Sequence, residues 1–354
     1  MQFSKLSETQ KKTFQSISNC SPLANRLHLE KLIDSTQPLP AEMVNGSDVI
    51  SGLTQIPKSL PARYFYDERG SHLFELICEL PEYYLTRTET EILQGCATAI
   101  ALLTGPCEMV ELGSGSSTKT RLLLTAYEEL GYPLVYRPID ISPSILELSA
   151  CQLLADYPSL HVHALVSTYE LALAKLPPSR LPTRMICFLG STLGNLESHE
   201  CEHFFSQIVA AMQPGEYFLL GVDLDKPKEV LEPAYNDSKG VTAEFNLNIL
   251  QHLNQRFDGN FDLTQFEHWA FYNENLQQIE MHLKSKQAQS FQLRSLNLTV
   301  NFEAGETIRS EISRKFNLSA VQQQLENRCL VPLQVWTDAN QWFGLLLCQL
   351  RLVP

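Results

Sequence analysis

The chain has 354 residues, 44% hydrophobic and 19% charged, with a formal net charge of −13. Such a length and apolar content suffice for one large α/β domain with an insertion, or for two domains. With no Lys/Arg cluster to track phosphates, nucleic acid is excluded as the expected partner.

Residues 1–35 are polar and weakly periodic, and are expected to form a mobile arm or two short helices. Pro38, Pro40, Pro57 and Pro61 mark 36–62 as extended linker or loop. From Thr88 the pattern sharpens: "TETEILQGCATAIALL" opens with Thr88 and Glu91 at capping-box spacing and continues apolar at helical intervals. Strands are predicted at 107–112, 134–139, 160–166, 184–189 and 216–222, with helices at about 118–130, 143–156 and 197–213. Ser142 reads as the N-cap of the second helix, with Pro143 at its first position, and Pro214-Gly215 stops the third. Strands alternating with helices predict a parallel sheet covered on both faces.

After 225 the rhythm changes. A long helical stretch at about 227–256 precedes polar–apolar alternation at 264–302, which predicts an antiparallel sheet in an inserted lobe. Strands at 329–336 and 342–352, joined by "TDANQ", read as a hairpin returning to the first sheet.

Nine cysteines stand at scattered positions with no CxxC pair, which points to reduced buried thiols, not to a disulfide frame or zinc site. The N-terminus has no apolar signal core, and no apolar run approaches the ~20 residues of a spanning helix. A soluble, cytoplasmic protein is expected, without a membrane partner.

The stretch "MVELGSGSSTKTRLLL" (109–124) places a glycine-rich turn between strand and helix. A phosphate-binding P-loop needs glycine where Thr118 stands, and so does the dinucleotide fingerprint. The third reading is an S-adenosylmethionine site, in which Glu111-Leu112-Gly113-Ser114-Gly115 forms an acid-x-Gly-x-Gly turn and an acid ends the next strand to grip the ribose. Asp140 lies 27 positions after Gly113 and ends "LVYRPID". Ligands in open parallel sheets sit where strand order reverses. The fourth strand runs into "CFLGSTLGNLE", so Gly190 and Asn195 should line that cleft. Thr192 occupies the serine position of a nucleophile elbow and excludes one. The "DLD" at 223–225 reads as a solvated loop more readily than as a metal site, and no metal is expected.

Seven stretches, "YFYDERGSHLF", "LPEYYLTRTE", "ELGSGSSTKT", "FLGSTLGNL", "AYNDSKGVTAEFN", "QIEMHL" and "SEISRKF", resemble the histidine-specific Nα-methyltransferases of ergothioneine biosynthesis in order and spacing. The resemblance runs from about residue 40 to the C-terminus. It implies an α/β fold: a Rossmann-like class I S-adenosylmethionine-dependent methyltransferase sheet with an inserted, smaller α+β substrate-binding lobe. The expected divisions are 1–87 (arm and part of the lobe), 88–226 (methyltransferase core), 227–303 (inserted lobe) and 304–354 (return to the core). It implies trimethylation of the α-amine of L-histidine to hercynine.

By the same resemblance Gly113, Lys119 and Asp140 hold the cofactor, with Lys119 meeting the methionine carboxylate. Where the family usually shows Asp-Phe near the adenine, this chain has Thr168-Tyr169; Thr168 cannot accept as a carboxylate does, whereas Tyr169 can stack. The family's amino-acid pocket maps onto Tyr66, Tyr83, Gly190, Asn195, Tyr235, Glu311 and Ser313, with Tyr66 and Asn195 nearest the reacting amine. Asn195 and Tyr235 would take the zwitterion, and Glu311 with Ser313, two apart on an extended segment, the two imidazole nitrogens. A family member acting on a tryptophan-like amino acid is disfavoured, because an indole leaves that pair unmatched. A P-loop nucleotide binder and a non-catalytic ligand-binding module are the readings from other classes.

Overall fold

The computed structural model describes residues 25–32 and 46–351. The expected arm at 1–35 falls mostly outside them. Its described part forms a strand, β1 (Leu27–Lys31), not a helix, and pairs in parallel with a later strand at the edge of the main sheet. The expected linker likewise contains a helix, α1 (Ser47–Thr54), which buries Val49 and Leu53 one turn apart. Beyond it come β2 (Lys58–Ser59), α2 (Glu68–Cys78) and α3 (Tyr84–Thr104). Thr88 does not cap α3: the helix starts a turn earlier, and the Thr88 hydroxyl donates to the Tyr84 carbonyl at 3.0 Å from inside it.

The alternating elements follow as β3 (Cys107–Leu112), α4 (Thr120–Glu129), β4 (Val135–Asp140), α5 (Pro143–Asp156), β5 (His161–Val166), α6 (Tyr169–Ala174), β6 (Thr183–Phe188), α7 (Ser198–Ala211) and β7 (Tyr217–Asp223). Every residue of β3 and β7 is buried, as expected of strands covered on both faces. Ser142 precedes Pro143 as predicted, but its hydroxyl makes no cap bond to α5.

The long helix expected at 227–256 is broken. A single turn, α8 (Lys228–Leu231), gives way at Pro233 to a tighter turn and a loop, and α9 (Val241–Arg256) starts after Gly240, whose φ is +74°. Asp237 anchors that start by accepting from the Val241 and Thr242 amides at 2.9 and 2.7 Å. The alternation at 264–302 resolves into β8 (Phe266–Asn273), β9 (Gln278–Ser285), β10 (Gln289–Leu293) and β11 (Leu298–Phe302). The return to the core comes later than 304, because β12 (Thr307–Arg314) still pairs with β9 and β2 in the second sheet. The chain ends with α10 (Leu318–Glu326) and the predicted hairpin, β13 (Leu330–Thr337) and β14 (Phe343–Leu350).

The main sheet has the order β1-β5-β4-β3-β6-β7-β14-β13, parallel through β7 and antiparallel beyond it. It is the Rossmann-like methyltransferase sheet expected from the sequence. Strand order reverses between β3 and β6, which pair directly. Alternate residues feed two cores, Met109 and Cys187 on one face, Val110 and Ile186 on the other. A third core belongs to the smaller lobe, where α1, α2 and α9 cover the β2-β12-β9-β8 sheet and the β10-β11 ribbon. Among the described residues the chain passes between lobe and sheet three times: along α3, between β7 and α8, and after β12. No helix in this part of the chain is long and apolar enough to cross a membrane.

Candidate active site

The glycine turn leaves β3 at the point where strand order reverses. Gly113 has φ +70°, and a Cβ there would lie 3.3 Å from the Tyr169 hydroxyl, so the position needs glycine for both conformation and space. Tyr169 stands beside the turn with its ring edge-on to Phe188. Asp140, at the end of β4, accepts from the Gly115 amide on one oxygen and from the Ser142 amide on the other, each at 2.9 Å. Burial holds its carboxyl above the ordinary value against the backbone bonds from Ser142, Gly115 and Ile141. The hydroxyls of Ser114 and Ser167 are buried next to this turn with no hydrogen-bond partner among the described residues. Such orphaned groups are costly unless something else satisfies them. Thr168 caps α6, its hydroxyl accepting from the Leu171 amide at 3.4 Å.

Lys119 has a carboxylate partner within the chain. It pairs with Glu89 of α3, which is completely buried and also accepts from the Gly190 amide at 2.9 Å on both oxygens. Burial opposes the lysine's charge, but Glu89 holds its pKa above the usual lysine value. Gly221 makes room for this pair, since a Cβ there would come 2.1 Å from Glu89 Oε1. Sequence reasoning missed Glu89. A signal existed: it lies four residues after Leu85 and four before Leu93, on the buried stripe of α3. Glu75 of α2, hydrogen-bonded to Ser116, was missed as well and overlooks the glycine turn.

Across the cleft the smaller lobe contributes side chains from β12, packed tightly on the "TLGN" turn (192–195) after β6. A Cβ on Gly194 would lie 2.9 Å from the Arg314 carbonyl oxygen, so only glycine permits that approach. Asn195 donates to the Ile312 carbonyl at 2.9 Å and hydrogen-bonds Glu311. A bulge between Arg309 and Glu311 restores regular pairing from Glu311 onward, and Glu311 and Ser313 emerge on the same side. Tyr235 donates to Ser313 Oγ at 2.8 Å rather than projecting its proton elsewhere, and its ring meets that of Tyr83 edge-on. Tyr66, half-buried, completes the wall.

Burial pushes Glu311 up to about 7, against the pull of Lys315 and Asn195. Burial, reinforced by Glu311, also keeps the Tyr66 and Tyr83 hydroxyls well above the usual tyrosine value. Both therefore stay protonated.

The "DLD" segment is not a solvated loop at its first acid. Asp223 is completely buried and takes bonds from Tyr84 (2.7 and 3.0 Å), Lys226 (2.6 Å) and Lys315 (2.8 Å). Burial lowers Lys226 to about 8 in spite of Asp223.

The structure thus gathers Gly113, Lys119, Asp140, Tyr169 and Gly190 around the glycine turn, and Tyr83, Asn195, Tyr235, Glu311 and Ser313 around β12, with Tyr66 close to Glu311, Tyr169 and Asp140 alike; Thr168 faces its own helix. A family model described as histidine-specific, S-adenosylmethionine-dependent methyltransferase matches residues 45–350. The histidine N-alpha-methyltransferase of Mycolicibacterium smegmatis is 41% identical over 300 residues, covering 85% of this chain and 93% of that protein. Its counterpart from Mycobacterium tuberculosis is 40% identical with the same coverage. Ergothioneine biosynthesis protein 1 of Neurospora crassa is 35% identical over 202 residues, 56% of this chain and 23% of that protein. On this match and these identities, the chain belongs to the S-adenosylmethionine-dependent, histidine-specific methyltransferase family.

Proposed function

We propose that the cleft takes S-adenosylmethionine on the glycine-turn side and L-histidine on the β12 side, and that the chain trimethylates the histidine α-amine to hercynine, the first step of ergothioneine biosynthesis. One observation carries the site assignment. Glu311 and Ser313 of the smaller lobe reach the carboxyl ends of the core strands, where Asn195 engages the first and Tyr235 the second.

The residues beside the turn fit the cofactor. Asp140 keeps acceptor capacity beside its backbone bonds for the ribose hydroxyls, the Gly113 position admits close approach, and Ser114 and Ser167 offer unpaired hydroxyls. Lys119 would share its ammonium between Glu89 and the methionine carboxylate. Tyr169 would stack on the adenine, and Thr168 would serve through its cap. When bound, S-adenosylmethionine supplies a methyl group on a sulfonium and leaves as S-adenosylhomocysteine.

The α-amine must be neutral to attack, and a cation alongside lowers its pKa. Tyr66 stays a neutral phenol, so it accepts an amine hydrogen and orients the nitrogen lone pair instead of acting as a phenolate base. Asn195 has committed its amide nitrogen, which leaves its carbonyl oxygen for the amine. Positioning of this kind supplies much of the acceleration in a bimolecular transfer. The final quaternary ammonium has no hydrogen left to donate, and the faces of Tyr66 and Tyr83 suit such a cation. The free cysteines among the described residues support a reducing compartment, the cytoplasm.

The test is incubation of the full chain with S-adenosylmethionine and the twenty amino acids, followed by mass spectrometry. Histidine should gain up to three methyl groups. Methylation of tryptophan alone would reassign the pocket, and no methylated product at all would reject the enzyme reading.

A further inference from the structure

Behind the β12 side of the cleft sits a lysine that methyl transfer does not use. Lys315 is buried, and its ammonium meets three acceptors: Asp223 Oδ2 at 2.8 Å, Ser313 Oγ at 2.8 Å and the Tyr235 oxygen at 3.1 Å. An ammonium has three donors and nothing to accept with, so its capacity is filled. Tyr235, having accepted from Lys315, passes its own proton to Ser313 at 2.8 Å. Ser313 Oγ therefore receives two hydrogen bonds, which occupy both of its lone pairs. Only its own hydrogen remains to offer. Two residues earlier, on the same side, Glu311 presents a carboxyl group whose carbonyl oxygen accepts in either protonation state, beside its bond to Asn195.

We infer that Lys315, acting through Ser313, makes this pocket select the neutral imidazole, with one ring N–H given to Glu311 and one ring lone pair taken up by the Ser313 hydroxyl. The inference rests on the histidine reading above. An imidazolium carries two N–H donors and no lone pair. Its second N–H would face a saturated oxygen, and a buried donor left without a partner is costly. Lys315 touches no substrate atom; it is a positioning residue that fixes the direction of the Ser313 hydrogen bond. Asp223, shared with Lys226 and Tyr84, holds the lysine in place. The titratable groups around the ring position are Glu311, Tyr66, Tyr83, Tyr235 and Lys315, with Asp223 and Lys226 behind. An apolar side chain at 315 would free a lone pair on Ser313, and the pocket would then accept either ring state.

The experiment is nitrogen-15 NMR of ring-labelled histidine bound to the full chain with S-adenosylhomocysteine. It is run at pH 6, where about three-quarters of free imidazole is protonated given a pKa of ~6.5. The expected spectrum has one pyrrole-type and one pyridine-type ring nitrogen, and in Lys315→Met the bound ring should shift toward the doubly protonated pattern. Two protonated nitrogens in the wild type would overturn the inference and leave histidine as the substrate. A neutral ring that persists in Lys315→Met would remove the lysine's role. Ring signals that never leave the free position would reject the histidine reading, and this inference with it. Should Lys315→Met fail to fold, Tyr235→Phe, which frees the other Ser313 lone pair, takes its place: a shift toward the doubly protonated pattern supports saturation of Ser313 as the selector, and a ring that stays neutral overturns it.

Discussion

Backbone amides bond both carboxylate oxygens of Asp140, so on the proposed reading a ribose would meet an acceptor already held in place. Asp140→Ala should weaken S-adenosylhomocysteine binding by roughly 1.5–3 kcal/mol, the loss expected for charge-assisted hydrogen bonds; calorimetric titration would read it, and unchanged affinity would reject the ribose assignment. Glu111 behaves differently. Burial raises it to about 7, with Thr120 and Tyr136 both donating to its Oε2 and pulling it down. A carboxyl whose folded pKa lies above its unfolded value stabilises the fold fully below the unfolded value, about 4.5, and loses that contribution as pH rises through the folded one. The melting temperature of wild type relative to Glu111→Gln should therefore fall between pH 5 and pH 7.5, by thermal unfolding of both proteins. A constant difference would mean that Glu111 does not titrate in this window. Glu111, Asp140 and Gly113 were legible because the motif states their types and spacing. Glu89 and Lys315 were not. Each is a charge whose meaning depends on partners far off in sequence, such as the Gly190 amide 101 residues away and Asp223 92 residues away.

Between elements, the contact that matters most is the "TLGN" turn on β12. Gly194→Ala would place a methyl group against the Arg314 backbone, which cannot give way as a flexible side-chain end could. The turn should move away from the strand and take Asn195 off Glu311. Displacements on the order of 1 Å near the chemistry can cost about 10²-fold. We expect kcat/KM for histidine to drop by about that factor while S-adenosylhomocysteine affinity stays near wild type; equal losses in both would point to general misfolding. The core strands were readable because apolar runs buried on both faces leave an unmistakable pattern. Other elements were harder. The five-residue β1 lies mostly exposed at an edge and carries little apolar signal. The break before α9 was marked by Pro233 and Gly240, but apolar residues on either side run on at helical spacing and conceal it. The lobe's hold on β12 depends on pairing with β9, which no local pattern records.

On the scale of the molecule, the cleft lies between one lobe and one sheet, so joint occupancy by both ligands should tighten their junction. Hydrogen exchange with S-adenosylhomocysteine and histidine together should show protection at 66–84 and 235–245 beyond that given by either ligand alone. Protection confined to 109–145 would argue that the lobe does not close. The three passages between lobe and sheet among the described residues have a consequence of their own. Glu89 lies on the first, Lys226 on the second just after Asp223, and Lys315 on the third just after Ser313, so the linking segments carry or back the walls of the cleft. Neither half can melt alone without pulling at least one wall apart. Heat inactivation and the earliest structural transition are therefore one event, and no partly denatured form of the enzyme retains activity.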